Sequence, residues 1–374
     1  MACIERALII GGGIAGLSAA IALSRAGVGC EVVELADAPL GASLGISGRA
    51  AEALDELGVY DRCAQTSRHL TDPGMASQHD AAGNLVRAAP PRPPWPGAKV
   101  GLGVYRPDFL QALADEAVRL GAVIRKGITA QTFSEAADAI RVTFTDGEVR
   151  SYDLVVGADG INSATRAMIF PDAEAPVYTG QMSIRWMAPG PFLAGEAWYN
   201  SEVGRLGFYY IPQGEVYVPA VISRDDPSRM RDDEVREVFT RLLDSYTAGP
   251  VVELRRRLTS DAKLICRPFE WVLAPDPWHK GRVLLIGDAA HATSAHMGMG
   301  GGMALEDSVV LGQCIASAAT LPEALAAFMA RRFERVKTVV ESSVGLSKLE
   351  QANAPPSENL ALLIKAFGAI SQPY

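Results

Sequence analysis

The chain has 374 residues, of which 48% are hydrophobic and 21% are charged. This composition excludes a disordered or collagen-like chain and can supply the core of one large domain or of two to three smaller ones. The net charge of −8, without a run of Lys or Arg, argues against nucleic acid as a partner. The five scattered cysteines form no CxxC pair, so we expect no disulfide framework, no bound metal and a reducing, cytoplasmic location.

The first predicted elements lie in an uncharged run over residues 7–24. No basic segment precedes the run and glycines interrupt it, so it predicts neither a signal peptide nor a membrane span, and we expect no membrane partner. Residues 4–10 are instead typical of a buried parallel strand. A glycine turn and a helical pattern to about Ala26 follow, and then a second short strand over 31–34.

The glycine turn has the pattern Gly11-x-Gly13-x-x-Gly16, which is typical of dinucleotide-binding folds. Gly11 permits the tight turn, Gly13 lets a pyrophosphate approach the backbone, and Gly16 lets the helix pack closely on the strand. The N-terminus of the helix presents free N–H groups to the phosphates. Glu34, at the end of the second strand, can accept hydrogen bonds from an adenosine ribose. The pattern predicts a bound dinucleotide but leaves FAD and NAD both open.

Strand and helix patterns alternate in the rest of the chain. The proline-rich residues 85–99 predict an extended loop. Residues 176–270 contain stretches of period two and one helical stretch over 233–246, which predict a mainly antiparallel sheet with a helix. A long amphipathic helix is predicted over about 322–351, and a last helix over 357–370 with Ser357 as its cap.

Two further strand patterns run into acidic turns. One leads into Asp159 and Gly160, and the other leads into Asp288. A second glycine-rich turn follows and opens a helix; its glycines are Gly298, Gly300, Gly301 and Gly302. The N-terminus of a helix at such a turn can stabilise negative charge on a bound cofactor, and glycines allow close backbone approach.

The three motifs, in this order and at these spacings, are similar to those of the group A FAD-dependent aromatic hydroxylases, which include p-hydroxybenzoate and salicylate hydroxylases. The resemblance covers about residues 4–340 and implies an α/β fold. In that fold a Rossmann-like FAD-binding domain is interleaved with a mainly antiparallel β-sheet substrate domain, and C-terminal helices follow. The implied bounds are 1–70, 100–175 and 275–345 for the FAD-binding domain, 71–99 and 176–274 for the substrate domain, and 346–374 for the C-terminal helical segment.

The resemblance also implies which residues contact the cofactor. Those expected at FAD in the first motif are Gly11, Gly13, Ala15, Gly16 and Glu34. Arg106 matches an arginine near the flavin, and Asp288 matches a residue at the ribityl chain or a nearby phosphate. Asp159 and Gly160 match a motif that serves both FAD and the nicotinamide cofactor. Gly298, Gly300 and Gly301 are expected beside the flavin.

The activity implied by the resemblance is that of a monooxygenase. NADH or NADPH would reduce FAD, which would react with O2 to give a flavin C4a-hydroperoxide that hydroxylates an aromatic, phenolic ring. The expected partners are therefore a small aromatic substrate, O2 and NAD(P)H, and the chain is expected to be a monomer or a homodimer. The sequence contains no separate nicotinamide-binding unit, so we expect NAD(P)H to bind transiently.

Candidate substrate residues lie in the predicted sheet and near the second glycine turn. Those in the sheet are Arg185, Trp186, Tyr199, Phe208, Tyr209, Tyr210 and Tyr217. Because side chains alternate along a strand, about half of them should face away from a cavity. Arg185 is a candidate partner of a substrate carboxylate or phenolate, and Tyr209 is a second catalytic candidate. His296 is a candidate acceptor of a phenol proton, since an unperturbed histidine titrates near neutrality. Packing in the core or solvation at the surface is the competing interpretation of each.

Other flavin functions must be compared with this one. A disulfide reductase would need a redox-active cysteine pair, and a flavin halogenase would need a WxWxIP motif; the sequence has neither. A FAD-dependent reductase of isoprenoid double bonds stays open and would consume no oxygen. A flavin-bound protein without catalytic activity also stays open and would show no substrate-stimulated oxidation of NAD(P)H.

Overall fold

The computed structural model describes residues 2–36, 43–70, 77–88, 97–136, 138–190, 197–211 and 214–374. Its strands are, in chain order, β1 (Arg6–Ile10), β2 (Gly29–Glu34), β3 (Ser43–Ile46), β4 (Arg68–Leu70), β5 (Ser77–His79), β6 (Leu85–Arg87), β7 (Gly101–Tyr105), β8 (Val123–Lys126), β9 (Ala130–Glu135), β10 (Ile140–Phe144), β11 (Val149–Tyr152), β12 (Leu154–Gly157), β13 (Val177–Ala188), β14 (Ala197–Asn200), β15 (Gly204–Tyr210), β16 (Val216–Ser223), β17 (Leu264–Trp271), β18 (His279–Lys280) and β19 (Val283–Leu285). Its helices are α1 (Ile14–Arg25), α2 (Arg49–Glu56), α3 (Tyr60–Thr66), α4 (Arg106–Arg119), α5 (Ala164–Ile169), α6 (Asp232–Asp244), α7 (Gly249–Arg257), α8 (Asp288–His291), α9 (Gly300–Ser317), α10 (Leu321–Gln351) and α11 (Pro356–Ser371).

Six strands form a largely parallel sheet in the order β18-β19-β12-β1-β2-β8, in which β18 runs antiparallel. β1 and β12 are almost uninterrupted apolar runs because a parallel sheet is buried on both faces. The last residues of three adjacent strands lie side by side, with Ile10 paired with Gly157 and Gly157 paired with Leu285. The chain therefore leaves the sheet three times at the carboxyl ends of neighbouring strands, and all three motifs begin at these ends.

A stack of helices connects the first motif to the third. A Cβ at Gly312 in α9 would lie 2.9 Å from the Cβ of Ala22 in α1, so the missing side chain permits close packing of the two helices. The hydroxyl of Ser308 in α9 also donates to the carbonyl oxygen of Ala15 in α1, at 3.2 Å. α10, which begins with a capping box of Thr320 and Glu323, packs against both α9 and α11.

The second large sheet has seven strands in the order β17-β13-β16-β15-β14-β5-β6. Neighbouring strands are antiparallel except for β14 and β5, which are parallel. One face packs on α6 and α7 and forms a separate apolar core around Trp186, Phe208 and Phe239. Because side chains alternate along the strands, the other face remains available to line a cavity.

The predicted fold class is confirmed, since a Rossmann-like sheet and a mainly antiparallel sheet alternate along the chain. Of the proline-rich residues 85–99, those of β6 form an edge strand, and 89–96 lie outside the described residues. One detail differs from expectation. The N-cap of α11 is Pro355, so Ser357 lies within the first turn and is not the cap. The long helix predicted over about 322–351 is present as α10 (Leu321–Gln351). Within the described part of the chain, none of the helices has both the length and the apolar character that a bilayer crossing requires.

Candidate active site

In the first glycine turn, backbone atoms occupy the space where a Cβ would stand at two glycines, and the space at the third is open. Gly11 has a φ of +109°, which favours glycine, and a Cβ there would lie 2.3 Å from the carbonyl oxygen of Ala158. A Cβ at Gly16 would lie 1.9 Å from the carbonyl oxygen of Gly11. At Gly13, in contrast, no atom lies within 4 Å of the position of a Cβ. Gly11 and Gly16 are therefore required by the fold, whereas the space beside Gly13 fits a ligand that approaches the backbone.

The helix that follows this turn presents its positive end. α1 has Gly13 as N-cap, without a side-chain cap and without an acidic residue in the first turn. The first four N–H groups of a helix have no partner inside the helix, so those of Ala15 and Gly16 are among the donors that this end offers. Glu34 lies beside the turn, where its carboxylate accepts from the backbone N–H groups of Gly12 (2.6 Å) and Ala36 (2.7 Å). A carboxylate has further lone pairs with which to accept ribose hydroxyls.

The acid of the second motif is bonded within its own turn. The carboxylate of Asp159 accepts from the backbone N–H (2.9 Å) and the hydroxyl (3.0 Å) of Thr165 at the start of α5. Gly160 follows with a φ of +81° and open space where a Cβ would stand. Arg166 is buried and donates to the carbonyl oxygen of Ala289 at 2.9 Å, which fixes the second motif to the third. The sequence interpretation assigned no role to this arginine.

Asp288, the first residue of α8, is accessible to solvent, but protein atoms lie around it on most sides. It therefore lies in a cleft. That environment raises the pKa of its carboxyl through desolvation, while the charges of His291 and Arg106 act in the opposite direction. Burial lowers the pKa of Arg106, Asp288 opposes this shift, and Arg185 adds to it. The structure thus brings the predicted residues Asp288 and Arg106 within electrostatic range of each other, and Arg185 within range of Arg106.

A buried polar cluster supports the third motif from behind. His291 Nε2 lies 2.6 Å from Oδ2 of Asp307, and the same oxygen accepts from the backbone N–H of Gly287 at 3.0 Å. Arg332 of α10 donates to Oδ1 of Asp307 (2.8 Å) and to Glu306 (2.7 Å). Burial alone would raise the pKa of Asp307, but His291, Arg332 and these hydrogen bonds lower it to about 2. We call His291, Asp307, Arg332 and Glu306 the supporting cluster.

The second glycine turn places a helix N-terminus beside the cleft. α9 begins at Gly300, without a side-chain cap and without an acidic residue in its first turn. A Cβ at Gly300 would lie 4.0 Å from Oδ1 of Asp288, and one at Gly301 would lie 3.3 Å from the Leu44 side chain. Gly298 has a φ of +65° and open space where its Cβ would stand. The turn therefore presents N–H groups and bare backbone near the Asp288 carboxylate.

A cavity of about 770 Å³ lies between this turn and the seven-stranded sheet. Its walls come from β3, from the second glycine turn, from the sheet, and from α10 and α11. The polar and charged residues that line it include Arg68, Asp80, Arg87, Ser183, Arg185, Asn200, Arg205, Tyr209, Tyr217, His296, Glu350 and Asn359. Apolar residues in its wall include Phe269, Met297, Met299, Leu346, Leu363 and Phe367.

Alternation along the strands sorts the candidate substrate residues into two groups. Those that face the cavity are Arg185, Tyr209 and Tyr217. Tyr210, at the end of β15, packs against the core of the opposite face and also borders the cavity. Those that are buried in the core on the opposite face are Trp186, Tyr199 and Phe208. The prediction that about half would turn away is therefore confirmed, although the sequence did not say which half.

The predicted catalytic residues Arg185, Tyr209 and His296 share the cavity. Arg185 Nε donates to Oγ of Ser183 at 3.3 Å, and no carboxylate in the described part of the chain pairs with this guanidinium. The Tyr209 hydroxyl accepts from the indole N–H of Trp198 at 2.7 Å. Burial raises the pKa of Tyr209 to about 12, so its hydroxyl stays protonated.

His296 is a neutral and almost fully buried imidazole. Its side chain is 2% exposed, and its Nδ1 lies 2.9 Å from the hydroxyl of Ser294. Burial, with a contribution from the charge of Arg205, lowers the pKa of His296 to about 3. An imidazole with that pKa is a weak base, so its surroundings favour hydrogen bonding over removal of a proton from a phenol.

The cavity residues that the sequence interpretation missed include Arg205, Glu350 and Asn359. Arg205 had a detectable signal, because it precedes Tyr209 by four residues on the same strand and so faces the same side. Glu350 had a weaker one, since it follows the apolar Leu346 by four residues on a predicted helix. We find no sequence signal that would have placed Asn359 in the cavity.

Known proteins resemble this chain over almost its whole length. A family model described as "FAD binding domain" matches residues 5–343. The 2-heptyl-3-hydroxy-4(1H)-quinolone synthase of Pseudomonas aeruginosa is 32% identical over 93% of this chain and 90% of its own. The aurachin C monooxygenase/isomerase of Stigmatella aurantiaca is 30% identical over 92% of this chain and 89% of its own. Klebsiella pneumoniae HpxO in complex with FAD and uric acid has the same fold, with a TM-score of 0.80 at 22% identity over 99% of this chain and 97% of that one.

The chain therefore belongs to this FAD-binding family, and its resemblance to the group A FAD-dependent aromatic hydroxylases is confirmed. It is an FAD-dependent monooxygenase of aromatic substrates.

Proposed function

We propose that the enzyme uses NADH or NADPH and O2 to hydroxylate a phenolic ring that binds in the 770 Å³ cavity. The observation that carries this proposal is the position of the cavity. The glycine turn that opens α9 borders it on one side, and Arg185 faces it from the sheet. One relative is named for a hydroxyquinolone, and this name supports an aromatic substrate.

The residues that follow the carboxyl ends of β1, β12 and β19 in the six-stranded sheet fit FAD. The space beside Gly13 and the uncapped end of α1 suit a pyrophosphate, and Glu34 suits a ribose. We assign the remaining predicted contacts to the same cofactor through Gly11, Ala15, Gly16, Arg106, Asp159, Gly160, Asp288, Gly298, Gly300 and Gly301. When it is bound, FAD supplies the redox chemistry by which oxygen is activated.

The protein side chains would orient the substrate and exclude water. Arg185 has N–H groups without a carboxylate partner among the described residues, and these suit a carboxylate or a phenolate of the substrate. The protonated hydroxyl of Tyr209 can donate to a substrate oxygen, since it already accepts from Trp198. Met297, Met299 and Phe367 give the cavity apolar walls, which favour a ring over water.

The test is to purify the protein, measure its FAD content, and follow oxygen uptake with NADH and with NADPH across a panel of phenols and hydroxylated N-heteroaromatic compounds. We expect at least one compound to stimulate NAD(P)H oxidation and to give a hydroxylated product. Loss of oxygen uptake with retention of FAD in the variant Arg185→Met would support the assigned role. The exposed Arg256→Met is its matched control, because Arg256 lies in a surface ion pair with Glu253.

Three results would contradict the proposal. An apoprotein that cannot be reconstituted with FAD would refute the cofactor assignment. Saturation of an isoprenoid double bond without oxygen uptake would indicate a reductase, and bound FAD without any substrate-stimulated NAD(P)H oxidation would indicate a binding protein.

A further inference from the structure

Several buried polar atoms at the cavity have no hydrogen-bond partner. Among the described residues, the buried side-chain nitrogen and oxygen atoms without a partner are Ser18 Oγ, Arg205 Nε, His296 Nε2, Ser343 Oγ and Asn359 Oδ1. The arginine, the histidine and the asparagine line the cavity, whereas the two serines do not. Arg205 Nε lies 3.0 Å from a carboxylate oxygen of Glu350, and this ion pair stabilises it. An unpaired buried polar atom costs roughly 1–3 kcal/mol, so the histidine and asparagine atoms indicate where a ligand completes the site.

Glu350 of α10 lies next to one of these atoms. Its Oε1 accepts from the amide Nε2 of Gln181 at 3.0 Å, and its Oε2 lies 3.0 Å from Nε of Arg205 in an ion pair. The Gln181 amide is itself held by the hydroxyl of Ser347, at 2.6 Å. Glu350 is therefore fixed on the cavity wall, with its charge balanced by Arg205.

The gap between His296 and Glu350 has the chemistry of a receptor for a hydrogen-bond donor. His296 Nε2 lies 3.8 Å from Oε2 of Glu350, which is too far for a direct hydrogen bond. A ligand O–H placed there can donate to the carboxylate and accept from the imidazole, and an N–H can donate to the carboxylate. The Arg205–Glu350 pair is neutral overall and His296 is uncharged, so a neutral donor suits the gap better than an ion.

We propose that His296 and Glu350 form a specificity subsite that binds a neutral O–H or N–H carried by the aromatic ring of the substrate. The inference rests on the proposed function for the nature of the ligand, but it concerns binding and does not require turnover. It assigns the ring a hydrogen-bond donor, in addition to the oxygen or carboxylate that Arg185 would bind. His296 and Glu350 act here as binding groups, and no proton leaves the substrate.

The test is a set of matched ligands bound to the FAD-loaded protein without NAD(P)H. The probes are 4-hydroxyquinoline and 4-hydroxybenzoate, each paired with its O-methyl ether, and affinity is measured by calorimetric titration. The methyl ether keeps the ring but cannot donate a hydrogen bond. We expect the wild-type protein to bind at least one hydroxylated probe at least tenfold more tightly than its ether.

Three variants separate the subsite from a general effect on folding. In Glu350→Gln, the amide oxygen would keep the bond from Gln181, so the NH2 group would face His296 and the acceptor would be lost. We expect this variant, and His296→Phe, to reduce the preference for the hydroxylated probe to less than threefold while the affinity for the ether stays unchanged. The exposed Glu341→Gln, on the same helix, should keep the full preference.

Several results of the ligand titrations would overturn the subsite. A wild-type protein that binds no hydroxylated probe, or binds each probe and its ether equally, would overturn the subsite. So would a Glu350→Gln variant that weakens both members of a pair to the same extent. Failure of the proposed function would instead be seen in the separate assay of oxygen uptake, which does not enter this measurement.

Discussion

Two buried histidines, His291 and His296, differ in whether the ring nitrogen Nε2 has a hydrogen-bond partner. His291 lies 2.6 Å from Asp307, whose carboxylate also accepts from Gly287 and Arg332. His296 is bonded at Nδ1 to Ser294, but its Nε2 faces a carboxylate 3.8 Å away without a hydrogen bond. One polar cluster is complete in the protein alone, and the other is left incomplete.

The difference separates residues that hold the site in place from residues that receive a ligand. The supporting cluster fixes the backbone of the third motif, because Asp307 bonds the N–H of Gly287 and Arg332 joins it to α10. Replacing one partner there leaves a buried charge uncompensated. At the cavity, the partner that is missing is the one a substrate can supply. Substitutions in the supporting cluster and in the cavity should therefore have different effects.

The largest effect is expected from Arg332→Leu in the supporting cluster. The variant leaves Asp307 and Glu306 buried without their common partner, and breaking such a pair costs about 3–5 kcal/mol of unfolding free energy. Denaturant unfolding measures the loss. The neighbouring half-buried Arg331→Leu is the control, with an expected loss of about 1 kcal/mol or less because its side-chain partner, Gln313, is exposed. Equal losses in both variants would show that the cluster has no special role.

The next effect compares two glycines of the first motif. In Gly16→Ala the new Cβ would meet the carbonyl oxygen of Gly11 at 1.9 Å, and overpacking of this kind costs roughly 1–3 kcal/mol of stability. In Gly13→Ala the Cβ meets no atom within 4 Å, and the φ of −81° suits alanine. We expect Gly13→Ala to keep the stability of the apoprotein and to weaken FAD binding at least tenfold. Thermal unfolding and fluorescence titration with FAD distinguish the two variants. Unchanged FAD affinity in Gly13→Ala would refute the assignment of the space beside Gly13 to the cofactor.

A pH effect follows from the buried imidazole of His296. Its pKa in the folded protein is lowered by burial to about 3 from an ordinary value near 6.5, so between these values the unfolded chain binds a proton that the folded protein does not. Stability is therefore lost as the pH falls through this window, by about 2 kcal/mol between pH 7 and pH 5 for this residue. The non-titrating His296→Gln should lose that much less over the same interval, as measured by urea unfolding at the two pH values. Parallel losses in both proteins would place His296 in a solvated environment.

The smallest effect is expected from Asn359→Leu at the cavity. Its buried Oδ1 has no partner, so replacing the amide by an apolar group should raise the unfolding free energy of the protein by about 1 kcal/mol. This is the opposite sign to Arg332→Leu, although both variants remove a buried polar atom. Differential scanning calorimetry without substrate gives the answer. A destabilised variant would mean that the amide is satisfied in solution and that the cavity is as complete as the supporting cluster.

The sequence predicted the expected cofactor-binding residues more fully than the cavity residues. The reason is that the residues of each motif lie close together along the chain. Gly11, Gly13 and Gly16 lie within six residues, so their spacing specifies one turn, and strand order brings the other motifs to the same edge. Glu350 and His296 approach each other only because α10 crosses the seven-stranded sheet, and no local pattern encodes that contact. The same holds for Asp307 and Arg332, whose neighbours along the chain give no indication of pairing. The alternation of side chains along a strand predicted that the candidate substrate residues would divide between the two faces of the sheet. Which residue lies on which face depends on the register of β13, β15 and β16.

The strand order of the six-stranded sheet also has a consequence for biosynthesis. β12 pairs with β1 on one side and with β19, at residues 283–285, on the other. A ribosome adds about 5–20 residues per second, so the edge of β12 stays unpaired for several seconds, and the sheet cannot close until roughly three quarters of the chain has been made. During that interval an apolar strand edge is exposed to other nascent chains. We therefore expect the yield of folded enzyme to respond to translation speed and to chaperone supply more strongly than the stability of the finished protein would suggest.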